Sequence, residues 1–211
     1  MKYFFSALEV IAVVLIAGAF YKKFHPPLVP YHSHAGEYIP HGDVVELMEI
    51  INSRNDNDPR LDNDFNSLTP ETKLLFRKKY QEIPVEKRNE RGTIVYLLGK
   101  NLLTVEDWEF FREVVLEPPC LSLSNCSKKP ASGSDEEATG DEVTLAYPAL
   151  VALRQAGRAL EAARAYRASA QGGPALAAEK DALDLFVAAK KSKTRAVARM
   201  AALNEKKFAL P

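Results

Sequence analysis

Residues 104–117, "TVEDWEFFREVVLE", carry both a helix start signal and the periodicity of an amphipathic helix. Thr104 followed three residues later by Asp107 is typical of a capped helix N-terminus, because each side chain accepts a backbone N–H near the helix start. Large apolar residues then recur at helical spacing. They are Val105, Trp108, Phe111 and Val115. The stretch therefore predicts a helix with one buried face, ended by Pro118 and Pro119.

The chain before this stretch repeats the pattern. Thr69 and Pro70 open "LTPETKLLFRKKYQEI", and Asp43 with Glu46 opens "DVVELMEIINS". No stretch alternates with a period of two, so we predict an all-α fold, with a bundle of about four helices over residues 43–117. The predicted inward positions are Val44, Leu47, Met48, Ile51, Leu75, Tyr80, Ile83, Ile94, Leu97, Leu98 and Leu102.

Composition divides the chain after this bundle. Residues 43–117 contain no alanine and have a net charge of −5, whereas 143–203 contain 20 alanines and 143–211 have a net charge of +7. Residues 118–142 are small, polar and charged, which is typical of a flexible linker. We therefore predict two helical subdomains, a bundle and an Ala-rich tail over 143–211. Their opposite charges suit docking on each other or on different partners.

The tail resembles a tetratricopeptide repeat. At that family's offset of 34, Ala162 aligns with Ala196 and Tyr166 with Met200. Gly157 stands at the family's turn glycine and Pro174 at its closing proline, whereas Leu150 replaces a glycine of the first helix. The resemblance implies stacked helix pairs that present a groove to partner proteins. The alternative is an ordinary helical hairpin with alanine-rich packing.

Residues 1–23, "MKYFFSALEVIAVVLIAGAFYKK", are apolar from Tyr3 to Tyr21 apart from Ser6 and Glu9. This length suits a transmembrane anchor, and Lys22 with Lys23 suits its interface. Lys2, the short apolar core and the small residues up to Ala19 equally suit a cleaved signal peptide. A buried helix is a third interpretation. The first two bring the chain to a cell membrane.

Glu9, four residues after Phe5, is similar to the start of type IV pilins, whose mature chain begins with Phe and has Glu at position five. Phe4 occupies the place of that family's preceding glycine. The resemblance implies a pilus-like or secretion-system component as a further hypothesis.

Every histidine lies in residues 24–42, a Pro-rich segment that we predict to be an extended tether. His32, His34 and His41 are candidate ligands for zinc or copper, because imidazole nitrogens suit both metals. A metal site also needs groups that hold its ligands in orientation, and a Pro-rich tether supplies few. The competing interpretation is a solvated tether whose histidines respond to pH.

Cys120 and Cys126 are the only cysteines, and five residues separate them in "PPCLSLSNCSKKP". Their spacing excludes a C-x-x-C redox motif, and a lone pair does not make a zinc site. We predict either a local disulfide or two free thiols. A disulfide would place most of the chain on the extracytoplasmic side of the membrane, or in the periplasm or secreted medium after cleavage near Ala19.

An acidic loop, "DNDPRLDNDFNS", only partly matches a calcium-binding loop. Counted from Asp62, Ser67 replaces the required glycine and Lys73 stands at the glutamate position, which favours a solvated loop with capping side chains. Gly92 and Gly99 have six residues between them instead of the four of a phosphate-binding loop, so we exclude that motif.

No catalytic motif accompanies these segments, and the basic tail lacks any nucleic-acid-binding signature. We therefore expect no enzyme, no nucleic-acid partner, no cofactor apart from the hypothesised zinc or copper, and no small-molecule substrate. The favoured hypothesis is a membrane-anchored protein-interaction or scaffold protein of the cell envelope. A metal-binding or metal-sensing envelope protein is the alternative.

Overall fold

The computed structural model describes residues 41–55, 57–129, 141–169 and 174–208. In these ranges every regular element is a helix, which confirms the all-α prediction. In chain order the helices are α1 (His41–Ser53), α2 (Arg60–Asn63), α3 (Pro70–Glu82), α4 (Arg88–Gly99), α5 (Val105–Val115), α6 (Glu142–Leu145), α7 (Tyr147–Ser169), α8 (Pro174–Ala189) and α9 (Arg195–Phe208). None of the described helices is long and apolar enough to span a bilayer. The predicted N-terminal anchor or signal segment lies outside the described residues.

Two helices begin where the sequence predicts. The Thr69 side chain accepts the N–H of Thr72 at 3.2 Å, with Pro70 as the first residue of α3. Thr104 and Asp107 form the predicted capping box at the start of α5. Helix α1 instead begins at His41, two residues before the predicted cap, and Asp43 accepts a hydrogen bond from the Thr72 hydroxyl at 2.9 Å.

The predicted inward positions are all buried or half-buried except Val105, which is 65 % exposed. The prediction for Val105 is wrong because α5 is rotated about its axis relative to the predicted orientation. Asp107, about 40° from the buried Phe111 on a helix of 3.6 residues per turn, occupies the inner face instead. Val105 lies about 120° from Phe111 and faces solvent. A carboxylate was not expected on the buried face, because an unpaired charge is costly there.

Helix α7 lies at the centre of the fold. It has 23 residues and packs against α4, α5, α8 and α9. The positions that face these neighbours are mostly alanine, which lets helices approach closely: Ala149, Ala152, Leu153, Ala156 and Leu160 are all buried. One hydrophobic core joins residues of 43–117 and 143–211, and Pro40–Pro211 forms one compact unit. Residues 43–117 therefore contribute mainly large side chains to this core, and residues 143–211 contribute many alanines to the same core.

The contact between α4 and α7 depends on glycine. A Cβ at Gly92 would lie 2.4 Å from ring atoms of Tyr147, and a Cβ at Gly99 would lie 2.4 Å from Cγ of Gln155. Both glycines are thus helix-packing residues, in agreement with the exclusion of a phosphate-binding loop. Gly157, in contrast, lies inside the uninterrupted α7 and not at the turn between two helices that the tetratricopeptide resemblance implies.

Candidate functional site

The predicted metal ligands fall at the edge of the described chain or beyond it. His32 and His34 lie outside the described residues, and His41 is the first residue of α1, with its side chain also outside them. Among the residues that are described, no group of three or more His, Cys, Asp or Glu side chains is arranged to hold a metal ion. The histidine hypothesis therefore stays a prediction.

The two cysteines are joined in a disulfide, and both are buried. The loop that they close packs on the turn before α4, where a carboxylate oxygen of Glu86 accepts the N–H of Cys126 at 3.1 Å. This hydrogen bond holds the pKa of Glu86 below its usual value. The Ser122 hydroxyl inside the loop accepts the N–H of Asn125 at 3.2 Å. Part of the expected linker, residues 120–126, is thus a packed loop.

Two carboxylates of the acidic loop, those of Asp58 and Asp62, have partners within the protein. Asp58 accepts the backbone N–H of Arg60 at 3.0 Å and forms an ion pair with its guanidinium at 2.9 Å. Hydrogen bonds from Arg60 hold the pKa of Asp58 below its usual value. Asp62 accepts the hydroxyl of Tyr96 at 2.5 Å. These contacts are those of a capped interhelical loop, which sequence reasoning favoured over calcium binding.

One candidate binding surface is a groove between α3 and α5. It comprises two adjoining cavities of about 640 and about 460 Å³, and both are lined by Leu74, Arg77 and Glu106. Its apolar lining includes two strongly exposed side chains, Leu74 at 64 % and Leu103 at 81 % exposure, beside the buried ring of Phe110. We call this surface the α3–α5 groove.

The two walls of the groove differ in charge. The α5 wall presents three exposed carboxylates, Glu106, Glu109 and Glu113, spaced so that they follow one face of the helix. In the described part of the chain, none of the three forms an ion pair with a lysine or arginine. The α3 wall presents Arg77 and Lys78. Arg77 shares the single carboxylate of Asp107 with Lys73, so the α3 wall, with Lys78, has a surplus of two positive charges. The three carboxylates of the α5 wall exceed this surplus by one charge.

A buried polar network beneath the groove holds the two walls in register. Lys73 of α3 donates from Nζ to Asp107 of α5 at 2.7 Å and to the carbonyl oxygen of Asn101 at 2.5 Å. Asp107 also accepts the N–H groups of Leu103 and Thr104 at 2.9 and 3.0 Å. Burial alone would raise the pKa of Asp107, but these hydrogen bonds outweigh it and hold the pKa below its usual value.

The Asn101 side chain extends this network to the loop before α3. Its carbonyl oxygen accepts the N–H of Leu68 at 3.0 Å, and its amide donates to the carbonyl oxygen of Phe65 at 3.1 Å. The groove is therefore a preformed surface supported by a buried hydrogen-bonded network, in which only the Nε of Arg77 lacks a hydrogen-bond partner among the described residues. A preformed surface favours binding because little has to be ordered when a partner arrives.

Sequence reasoning missed this groove, although one signal was present. The run "KLLF", residues 73–76, cannot place all its apolar side chains inward, because neighbours on a helix are about 100° apart. Phe76 is buried, and Leu74, about 160° away, has to face outward. Exposed leucines at single positions are ordinary, whereas Leu74 and Leu103 together in one groove make it a candidate for an interaction surface.

The groove lining offers aliphatic, aromatic, carboxylate and cationic groups, a set that suits binding of a polypeptide better than bond-making chemistry. No protein-family model, curated protein or solved structure matches the chain.

Proposed function

We propose that this protein is a non-catalytic interaction protein that binds a basic amphipathic helix of a partner protein in the α3–α5 groove. The observation that carries the proposal is the combination of exposed Leu74 and Leu103 with the carboxylates of Glu106, Glu109 and Glu113 along one wall. An amphipathic helix in an apolar groove is a recurring mode of peptide recognition.

The length of α5 and the charge of its exposed carboxylates indicate what kind of partner helix would fit the groove. Helix α5 has 11 residues and is therefore about 16 Å long, which matches about three turns of a partner helix. Leucine-type side chains at positions i, i+3 or i+4, and i+7 of the partner helix would cover Leu74 and Leu103. Lysines or arginines on one flank of that helix would pair with the three carboxylates of α5. Charge complementarity of this kind raises the association rate and selects partners more than it adds affinity.

We further propose that the protein performs this role at the cell envelope, held to a membrane by residues 1–23. The apolar run from Tyr3 to Tyr21 supports the anchor. The Cys120–Cys126 disulfide supports an extracytoplasmic position, because disulfides persist in oxidising compartments and are rare in the cytosol.

The test uses the purified full-length chain and a synthetic helical peptide with a leucine stripe and a lysine flank, titrated by fluorescence anisotropy. A matched peptide has glutamate in place of each lysine. We expect the lysine peptide to bind at least tenfold more tightly, with an advantage that declines as salt rises, since screening weakens exposed charge pairs. Equal binding of the two peptides would contradict the proposal.

Groove variants provide the second arm of this experiment. Leu74→Gln with Leu103→Ser removes the apolar contacts, and we expect it to weaken binding of the lysine peptide at least tenfold. The control is Leu203→Ser, because Leu203 is 60 % exposed, comparable to Leu74, but lies on α9 away from the groove. If Leu203→Ser weakens binding as much as the groove variant, the groove is not the site.

A further inference from the structure

The chain is strongly basic from the α8–α9 turn to the end of α9. Residues 190–208 contain seven lysines and arginines and one glutamate, a net charge of +6. The glutamate, Glu205, pairs with Lys190 at 2.6 Å, and Lys207 pairs with Glu161 of α7 at 2.7 Å. The other five cations are exposed and form no ion pair in the described part of the chain: Lys191, Lys193, Arg195, Arg199 and Lys206.

Three of these cations form a line along the outer side of α9. Arg195, Arg199 and Lys206 fall within about 40° of one another around the helix and extend over about 16 Å of its length. The buried residues Val197 and Ala201 lie on the opposite side, where α9 packs against α7 and α8. We call these three residues, together with the two lysines of the preceding turn, the α9 basic face.

Apolar side chains interrupt the line of cations. Between Arg199 and Lys206 the exposed residues are Ala202, on the same line, and Leu203, which is 60 % exposed beside it. Neither side chain can hydrogen-bond to a base edge, which is the main means by which proteins read nucleic-acid sequence. A leucine among cations instead suits the boundary between lipid headgroups and acyl chains.

The carboxylates of α8 do not neutralise this face. Phe186 of α8 stacks on Phe208 of α9 with ring centroids 6.1 Å apart, so this side of α8 faces α9. Asp181 and Asp184 lie about 140° and 160° from Phe186 around α8 and therefore point away from α9. Glu179 is already paired with two arginines of α7.

We propose that the α9 basic face binds the anionic phospholipid headgroups of a bilayer, with α9 parallel to the surface and Leu203 at the headgroup boundary. Exposed cations in a row fit an array of phosphate groups, and their attraction to an anionic leaflet increases with their number. The proposal rests on the membrane location proposed above and does not involve the α3–α5 groove.

The experiment measures the acylation rate of individual lysines by mass spectrometry. The full-length chain is mixed with vesicles of phosphatidylcholine alone or of phosphatidylcholine with about one third phosphatidylglycerol. We expect Lys191, Lys193 and Lys206 to react at least threefold more slowly with the anionic vesicles, and this protection to disappear at high salt, because salt screens exposed charges. Lys128 and Lys129, which are also exposed, should react equally with both compositions.

Each other outcome counts against the proposal. Equal reactivity of Lys191, Lys193 and Lys206 with the two compositions overturns it, and so does equal protection of Lys128 and Lys129. Protection of the same lysines by a single-stranded oligonucleotide that exceeds protection by the anionic vesicles overturns the assigned partner. Retention of the chain on phosphatidylcholine vesicles tests the proposed anchor instead, so the two proposals fail separately.

A triple variant locates the binding. Arg195→Gln, Arg199→Gln and Lys206→Gln together remove the line of cations without removing an ion pair in the described part of the chain. We expect the protection of Lys191 and Lys193 by anionic vesicles to fall by at least half. Protection that stays unchanged in this variant overturns the role of α9.

A control variant removes the same charge elsewhere. It combines Arg112→Gln, Lys128→Gln and Lys129→Gln, three exposed residues that form no ion pair in the described ranges. It should retain the protection of Lys191 and Lys193. An equal loss in the control would mean that net charge alone attracts the chain to the vesicles, which overturns the proposal.

Discussion

Asp107 is a buried carboxylate that joins two helices. It is 2 % exposed, pairs with Lys73 and Arg77, and accepts two backbone N–H groups at the start of α5. The same carboxylate therefore caps one helix and fixes it to another. Removing one partner of a buried ion pair is far more costly than the pair is worth, because the remaining charge stays buried without compensation.

Asp107→Asn should lower the free energy of unfolding by about 3–5 kcal/mol, the usual cost of breaking a buried pair. Urea unfolding followed by Trp108 fluorescence measures this difference. Glu109→Gln is the matched control, because it removes an exposed carboxylate two residues away and should change stability by less than about 0.5 kcal/mol. Similar losses of unfolding free energy in the two variants would show that Asp107 contributes no more to stability than an exposed carboxylate.

Acid unfolding gives the same variant a second readout. The pKa of Asp107 is lowered in the folded protein, so its stabilising contribution is present above the unfolded pKa of about 3.9 and is lost as pH falls through the folded value. The stability of Asp107→Asn should therefore fall less steeply than that of the unaltered chain below about pH 4. Parallel pH profiles would contradict this assignment.

At the scale of elements, the packing of α4 against α7 requires a residue without a side chain at Gly99. A Cβ there would lie 2.6 Å from Cβ of the buried Gln155 and 3.1 Å from Phe111, and neither neighbour has room to turn away. Gly92 is less constrained, because it faces the ring of Tyr147, which is 37 % exposed. Gly157 meets only Phe208, at an ordinary 3.6 Å.

Gly99→Ala should therefore destabilise the protein by about 1–3 kcal/mol through overpacking between the two helices. Gly157→Ala is its control within α7, and it should leave stability unchanged or raise it by up to about 1 kcal/mol, because alanine is the better helix former. Thermal unfolding followed by circular dichroism compares the two. A stabilising Gly99→Ala would mean that α4 and α7 are not in close contact.

On the scale of the whole molecule, α7 joins the preceding helices to the last two, because it packs against α4 and α5 as well as against α8 and α9. Helix α5 contacts both α7 and α8, and residues of the Ala-rich tail lie in the same hydrophobic core as Phe65, Phe76 and Phe111. Separate subdomains would each bury their own core, whereas here residues of both segments lie in one core. Helices α1 to α9 should therefore unfold in one cooperative transition.

Two probes on different segments test this cooperativity. Trp108, the only tryptophan, reports on α5, and hydrogen exchange of backbone amides in α8 and α9 reports on the tail. We expect the two probes to give one common midpoint in urea. Two resolved midpoints would support the two helical subdomains that composition predicts.

Much of the local structure was predictable from sequence, whereas the groove was not. Thr69, Pro70, Thr104 and Asp107 mark the starts of α3 and α5 because capping depends on residues three positions apart. Leu74 and Leu103 are unremarkable in sequence, since a leucine in a helical pattern is usually inward. They lie together on one exposed groove only in the tertiary structure, where Lys73 and Asp107 occupy inner positions of α3 and α5.

The sequence by itself determined the helical class, the capped helix starts and the contrast between a large-residue segment and an alanine-rich one. These properties depend on neighbours within a few positions of the chain. Only the tertiary structure decided that both segments share one core, that Gly157 continues a helix, and that Arg88 is buried with an unused donor. The physical reason is that burial and pairing depend on contacts between residues far apart in sequence, which local patterns do not specify.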